Sequence, residues 1–114
     1  MKLYGIPNCD TVKKARVFLQ EKGVDYEFVD FKKTPPDAAL LATWLQSVPL
    51  ETLLNKRGTT WRKLDEATQA EATEAAGAVR VMVENPSVIK RPVLEKNGCV
   101  YVGFSADSYE ALFG

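Results

Sequence analysis

The sequence contains no histidine and only two cysteines among its 114 residues. Without histidine, the chain cannot use Ser-His-Asp or Cys-His activation of a nucleophile, histidine metal ligation or histidine acid–base catalysis. Two cysteines are also too few for a zinc site built from four thiolates. We therefore expect no bound metal, and the range of chemistry open to the chain is narrow.

Net charge and long apolar runs are absent as well. Fifteen basic and fifteen acidic residues cancel, so no overall positive field attracts nucleic acid. Pro7 ends the first apolar stretch before it reaches the roughly 7–15 residues of a secretory signal, and no stretch approaches the about 18–20 residues that span a bilayer. Cys9 and Cys99 do not form the dense framework of small secreted domains. We expect a cytoplasmic monomer that contacts neither nucleic acid directly nor a membrane.

The first third of the chain has the pattern of a βαβ unit. Residues 2–6 read as a strand, residues 10–22 carry apolar side chains at helical spacing, and residues 24–31 alternate as a second strand. Gly23 supplies the helix stop, and Asn8 or Cys9 is the expected N-cap. A crossover of this kind joins parallel strands.

The middle of the chain is helical. The pattern predicts a helix from about Asp37 to Ser47, a short helical piece over 50–55, a basic loop over 56–63, and an alanine-rich helical stretch over 65–84. Gly77 weakens this last stretch by ~1 kcal/mol relative to alanine, so it forms either one helix or two.

The last third returns to strands. Residues 93–96 and 99–102 flank Asn97-Gly98, a hairpin signal, and Ser105 is a plausible cap for a helix over 107–112. The order βαβ, helices, ββα predicts an α/β fold with a four-stranded mixed sheet. We expect a single thioredoxin-like domain over 1–114, with a helical insertion at about 36–85.

Cys9 is the candidate nucleophile because it lies between the first strand and the first helix. Free N–H groups and the helix dipole favour an anion there, and they lower a thiol pKa below the ~8.5 of free cysteine. Lys13 lies one turn onward and adds positive charge, while Asp10 opposes the effect. The alternative is a buried cysteine that only packs, which is the role that we expect for Cys99.

Two basic turns are candidate anion sites. The run over 56–63 contains four basic residues, and Lys90-Arg91 adds two more. A solvated charged surface explains them equally simply. Guanidinium groups nevertheless bind oxyanions and carboxylates in a bidentate manner, which ammonium groups cannot do. Pro92 begins a strand. From the residues alone, we expect the peptide bond before Pro92 to be trans, as most such bonds are.

Four ordered motifs resemble the arsenate reductase ArsC/Spx family, and within it the YffB-type proteins. They are YGIPNCDTVKKA at residues 4–15, LNKRGTTWRKL at 54–64, PSVIKRPVL at 86–94 and VGF at 102–104. The resemblance covers almost the whole chain and implies a thioredoxin-like fold with a helical insertion.

The resemblance also implies roles for particular residues. It makes Cys9 the catalytic nucleophile and assigns anion or substrate binding to Arg62 and Arg91. Asn8 and Lys13 are two further candidates for this binding, because they lie beside Cys9. It implies a cis bond before Pro92. Glutathione-dependent members of the family use a single cysteine, with no bound cofactor, and draw electrons from glutathione and glutaredoxin.

Two departures from the family pattern separate three hypotheses. Gly103 stands where arsenate reductases of this type carry a third arginine, and Val12 stands where Spx regulators carry the second cysteine of Cys-x-x-Cys. The leading hypothesis is a single-cysteine, glutathione-dependent thiol reductase or transferase, an oxidoreductase. The alternatives are arsenate reductase proper and an Spx-like regulator that binds RNA polymerase without catalysis.

Overall fold

The computed structural model describes residues 1–113, and the chain divides into two compact units. The sheet unit comprises Met1–Thr34 and the chain from Arg91 onward, and the helical unit comprises Pro35–Lys90. The expectation of one domain with an insertion stays a prediction. Among residues 1–113, no helix is long and apolar enough to cross a membrane.

The helices and strands follow the predicted order. They are β1 (Lys2–Gly5), α1 (Asp10–Glu21), β2 (Glu27–Asp30), α2 (Ala38–Leu45), α3 (Leu50–Leu53), α4 (Thr59–Lys63), α5 (Glu66–Glu71), α6 (Ala75–Glu84), a 3₁₀ turn (Pro86–Val88), β3 (Val93–Lys96), β4 (Cys99–Val102) and α7 (Ala106–Phe113).

The sheet unit contains one four-stranded mixed sheet in the order β2-β1-β3-β4. β1 is parallel to β2, and β3 is antiparallel to both β1 and β4. A βαβ part and a ββα part that share one mixed sheet in this order form the thioredoxin-like fold. The predicted fold class is therefore confirmed.

The core of the sheet unit lies between the sheet and its two helices. Its fully buried members come from β1, α1, β3 and α7, and they are Leu3, Ala15, Leu19, Leu94 and Tyr109. α1 buries Val12, Ala15 and Leu19, as its helical spacing predicts. These contacts hold α1 against the sheet and thereby fix the position of its first turn.

Local signals set the turns of the sheet unit. Gly23, at φ 68°, ends α1, and the Val24 N–H donates to the Leu19 carbonyl at 3.1 Å. Because Val24 still closes the helix, β2 begins at Glu27 and is shorter than the predicted 24–31. Asn97 and Gly98, at φ 53° and 78°, form the predicted hairpin turn.

The helical unit corrects the prediction of a basic loop over 56–63. Residues Thr59–Lys63 form α4, which Gly58 precedes as N-cap. The Asn55 side chain accepts from the Arg57 N–H at 3.1 Å and so organises the turn that starts this helix. A short polar sequence without an apolar stripe gave no periodic signal for it.

The alanine-rich stretch forms two helices, α5 and α6. Gly77 lies in the first turn of α6, and a Cβ atom there would stand 1.9 Å from the Glu71 carbonyl oxygen. Only glycine permits this approach of α6 to the end of α5. α6 also packs against α2.

The helical unit extends beyond the predicted end of the insertion, to Lys90. The Asn55 N–H donates to the Val88 carbonyl at 2.7 Å, and the Lys90 N–H donates to the Leu53 carbonyl at 2.8 Å. Leu54 and Ile89 form an antiparallel bridge between these two bonds. Residues 86–90 therefore belong to the helical unit.

Candidate active site

Cys9 is the N-cap of α1. Its own N–H donates to the Ile6 carbonyl at 3.3 Å, and its carbonyl accepts from the Lys13 N–H at 2.9 Å. These two bonds fix the turn after β1 and begin the helix. The half-buried thiol consequently lies at the positive end of a twelve-residue helix.

The surroundings of Cys9 favour its thiolate. The partial burial of the Cys9 thiol acts to raise its pKa. The Val12 N–H, the Arg91 side chain and the Thr11 N–H oppose this as donors to the thiolate, and the net effect lowers the pKa of Cys9. Deprotonation is therefore easier than for a free thiol, as nucleophilic attack requires.

Arg91 and Pro92 lie beside Cys9 in the sheet unit. The Arg91–Pro92 peptide bond is cis, Pro92 is buried and Arg91 is half-buried. The Pro92 carbonyl accepts from the Gly103 N–H at 2.8 Å. This bond ties the segment before β3 to the end of β4, so the Arg91 side chain is held next to the thiol from a rigid support.

Asn8 and Lys13 flank Cys9 along the chain. Asn8 lies in the turn that precedes Cys9, Lys13 lies in the first turn of α1, and both side chains are exposed. Lys13 forms no ion pair with any residue that the structure describes. The predicted part of these two residues in anion binding stays a prediction.

Arg62 lies in the last turn of α4, in the helical unit. Its side chain is exposed, and its N–H donates to the Gly58 carbonyl at 3.3 Å. The predicted role of Arg62 in anion binding stays a prediction.

Gly103 follows β4 and has φ 82°. This left-handed conformation favours glycine and strains an arginine by about 1–3 kcal/mol. The φ of Gly103 lets its N–H reach the Pro92 carbonyl. The third arginine of the arsenate reductase pattern could adopt this φ only with strain. The missing arginine is evident from the sequence. The contact to Pro92 is not, since a glycine directly after a strand is its only signal there.

Cys99 corrects a prediction, because its side chain is exposed rather than packed. It begins β4, which is an edge strand, and it pairs with Lys96 beside the hairpin turn. In the sheet, Tyr4 pairs with Val93 and Lys2 pairs with Glu95, so Cys99 lies at the end of the sheet where β1 begins. Cys9 follows the opposite end of β1, and Cys99 is therefore not placed to resolve a bond formed by Cys9.

Metal ligation has no site in the part of the chain that the structure describes. No group of three or more Cys, Asp or Glu side chains is arranged to hold an ion there. The Cys9 thiol instead has the Arg91 guanidinium beside it.

Comparison with known proteins agrees with the fold and the motifs. A solved structure of a YffB protein matches with TM-score 0.94 and 47% identity, over 99% of this chain and 98% of that one. An arsenate reductase (ArsC) related protein from Brucella melitensis matches with TM-score 0.77 and 50% identity, over 98% and 92% of the two chains.

Two relatives known by sequence extend the comparison. An uncharacterised Haemophilus influenzae protein is 37% identical over 97% of this chain and 96% of its own. The global transcriptional regulator Spx of Streptococcus pyogenes is 25% identical over 96% of this chain and 81% of its own. The sequence model of the ArsC family matches residues 4–112. The chain therefore belongs to the ArsC family.

Proposed function

We propose that the protein is an oxidoreductase, a glutathione-dependent thiol reductase or transferase in which Cys9 is the only nucleophile. The observation that carries this proposal is the Cys9 thiol at the start of α1, with its pKa lowered by first-turn N–H groups and by Arg91. A single activated thiol without a resolving partner suits chemistry in which a second, external thiol completes the cycle.

The proposed cycle has two exchanges. The Cys9 thiolate attacks the glutathione sulfur of a mixed disulfide with a substrate thiol, forms a Cys9–glutathione disulfide and releases the substrate thiolate. A second glutathione thiolate then attacks the glutathione sulfur of that disulfide, which releases oxidised glutathione and regenerates the Cys9 thiolate. Glutaredoxin is an alternative donor for the second exchange.

Arg91 is proposed to orient glutathione over the thiol. Glutathione carries two carboxylates and a net negative charge at neutral pH, and a guanidinium binds a carboxylate through two parallel hydrogen bonds. Arg91 already stands close enough to stabilise the Cys9 thiolate, so the same side chain can reach a ligand attached to that sulfur. Arg62, in α4 of the helical unit, is proposed as a second anion-binding guanidinium.

Arsenate reduction is the alternative within the enzyme class, and the Brucella protein is described as related to arsenate reductase. Gly103 weakens this alternative, because it supplies no guanidinium and its φ of 82° disfavours one. The loss of one charge-assisted hydrogen bond costs about 1.5–3 kcal/mol of oxyanion binding.

Regulation without catalysis is the alternative from another class, and it follows from the likeness to Spx. A dithiol switch at Cys9 is impossible because Val12 occupies the position of the second thiol, where it is fully buried. Binding to RNA polymerase needs no thiol turnover, so a regulator of this kind would show none.

We expect the protein to reduce the mixed disulfide of glutathione and hydroxyethanethiol with glutathione as electron donor. Cys9→Ser abolishes turnover because it removes the nucleophile, and Cys99→Ser, the matched control, retains the wild-type rate. The rate is measured as the oxidation of NADPH by glutathione reductase, which reduces the oxidised glutathione that the reaction forms. A wild-type protein without turnover, or one whose turnover depends on Cys99, contradicts the proposal and favours a binding function.

We expect Arg91→Lys to weaken glutathione binding while the fold stays intact. An ammonium group cannot reproduce bidentate contacts, and the loss of about 1–3 kcal/mol corresponds to roughly 5- to 150-fold in affinity. Chemical-shift titration measures both binding and fold. Arg80→Lys is the control, since Arg80 is exposed and pairs with Glu71 at 3.6 Å. Equal affinities in all three proteins would leave Arg91 without the proposed role.

We expect slow arsenate reduction by the purified protein, and no gain from Gly103→Arg. Forcing φ 82° on an arginine lowers the free energy of unfolding by about 1–3 kcal/mol. Gly103→Asn loses less, because asparagine tolerates this conformation. Urea unfolding gives the stabilities, and a coupled assay gives the arsenate rate. Rapid reduction by the wild type would instead support arsenate as the substrate.

A further inference from the structure

An open groove of about 370 Å³ runs along α1 within the sheet unit. It is lined by Lys13, Lys14, Val17, Phe18, Glu21 and Phe104. The groove has no part in the site described above, apart from sharing Lys13 with it.

The groove begins one helical turn beyond Cys9. Lys13 lines it, and the Lys13 N–H donates to the Cys9 carbonyl at 2.9 Å. Phe104, which also lines the groove, directly follows Gly103, whose N–H donates to the Pro92 carbonyl at 2.8 Å. The substrate half of a disulfide that Cys9 attacks can therefore reach the Lys13 end of the groove.

The apolar lining of the groove consists of one exposed side chain and two packed rings. Val17 is 52% exposed, which is unusual for a large aliphatic side chain in this protein. The Phe18 and Phe104 rings meet edge to face at 6.0 Å, and Tyr109 supports the Phe104 ring from the core at 4.6 Å. Because the rings are fixed from behind, an apolar ligand can bury this surface at little cost in side-chain entropy.

Charge is distributed unevenly along the groove. Lys13 and Lys14 lie at the end nearer Cys9, and neither forms an ion pair with a described residue, Asp10 included. Glu21 lies two turns further along α1. An anionic group is consequently favoured near the thiol and disfavoured at the far end.

We propose that this groove binds the substrate side of the disulfide that Cys9 attacks, and that it selects substrates whose thiol is attached to an apolar, preferably aromatic, group with a carboxylate close to the sulfur. The inference rests on the function proposed above. The apolar group lies over Val17, Phe18 and Phe104, and the carboxylate lies between Lys13 and Lys14. Glutathione then occupies the side of Cys9 that Arg91 covers.

The test compares three symmetrical disulfides that react with Cys9 in the Cys99→Ser protein. Dithiobis(nitrobenzoate) is aromatic and carries carboxylates, dithiodipyridine is aromatic and neutral, and hydroxyethyl disulfide is small and neutral. In each reaction the Cys9 thiolate attacks one sulfur, forms a mixed disulfide and releases the other half as a thiol or thiolate. Stopped-flow absorbance follows the two aromatic products, and quenched mass spectrometry follows the third.

Two variants at exposed positions separate charge from apolar contact. Lys14→Gln should slow the reaction of dithiobis(nitrobenzoate) by roughly two- to fivefold, as the loss of an exposed ion pair does, while the dithiodipyridine rate is unchanged. Val17→Ser should slow both aromatic reagents. Lys33→Gln, the control, makes the same change of charge at an exposed position outside the groove and should alter none of the rates.

The reaction with hydroxyethyl disulfide shows whether the groove proposal or the proposed function itself is wrong. Its rate should be the same in all these variants, because this reagent reaches Cys9 without using the groove. Equal relative effects on the three reagents, or an effect of Lys33→Gln as large as that of Lys14→Gln, would overturn the groove proposal. A Cys9 thiol that fails to react with hydroxyethyl disulfide would instead overturn the proposed function.

Discussion

The chemistry of this protein depends on the short turn that joins β1 to α1. Hydrogen bonds at both sides of Cys9 fix that turn, and burial of Val12, Ala15 and Leu19 fixes the helix behind it. The first-turn N–H groups, which no preceding residue can satisfy, consequently face the thiol. A small shift of α1 against the sheet would move the thiol away from Arg91 and so remove one of the groups that lower its pKa.

The second support of the site comes from the other end of the sequence. The bond from the Gly103 N–H to the Pro92 carbonyl joins the entry of β3 to the exit of β4, and Arg91 lies directly before that bond. The left-handed φ of Gly103 makes this geometry possible. The glycine that stands in the place of an arginine of the arsenate reductase pattern thus helps to hold another arginine, Arg91, at the thiol.

Local signals in the sequence predicted the features with local causes. Cys9 precedes a helix with a clear apolar spacing, and Asn97-Gly98 sets a hairpin, so both were evident without a structure. The exposure of Cys99 was not, because it depends on β4 being the edge of the sheet, a consequence of pairing between distant strands. The groove was missed for the same reason, since Phe104 meets Phe18 only in the folded chain. The roles of Asn8, Lys13 and Arg62 stay predictions.

The central claim is that Cys9 is the dominant thiolate of this protein at neutral pH, and the rate of alkylation by iodoacetamide as a function of pH tests it most directly. The Cys99→Ser protein should titrate as a single thiol with a pKa below the ~8.5 of free cysteine, and alkylation below that pH should vanish in Cys9→Ser. A Cys9 midpoint at the free-thiol value, or faster alkylation of Cys99 in the wild type at neutral pH, would contradict the account.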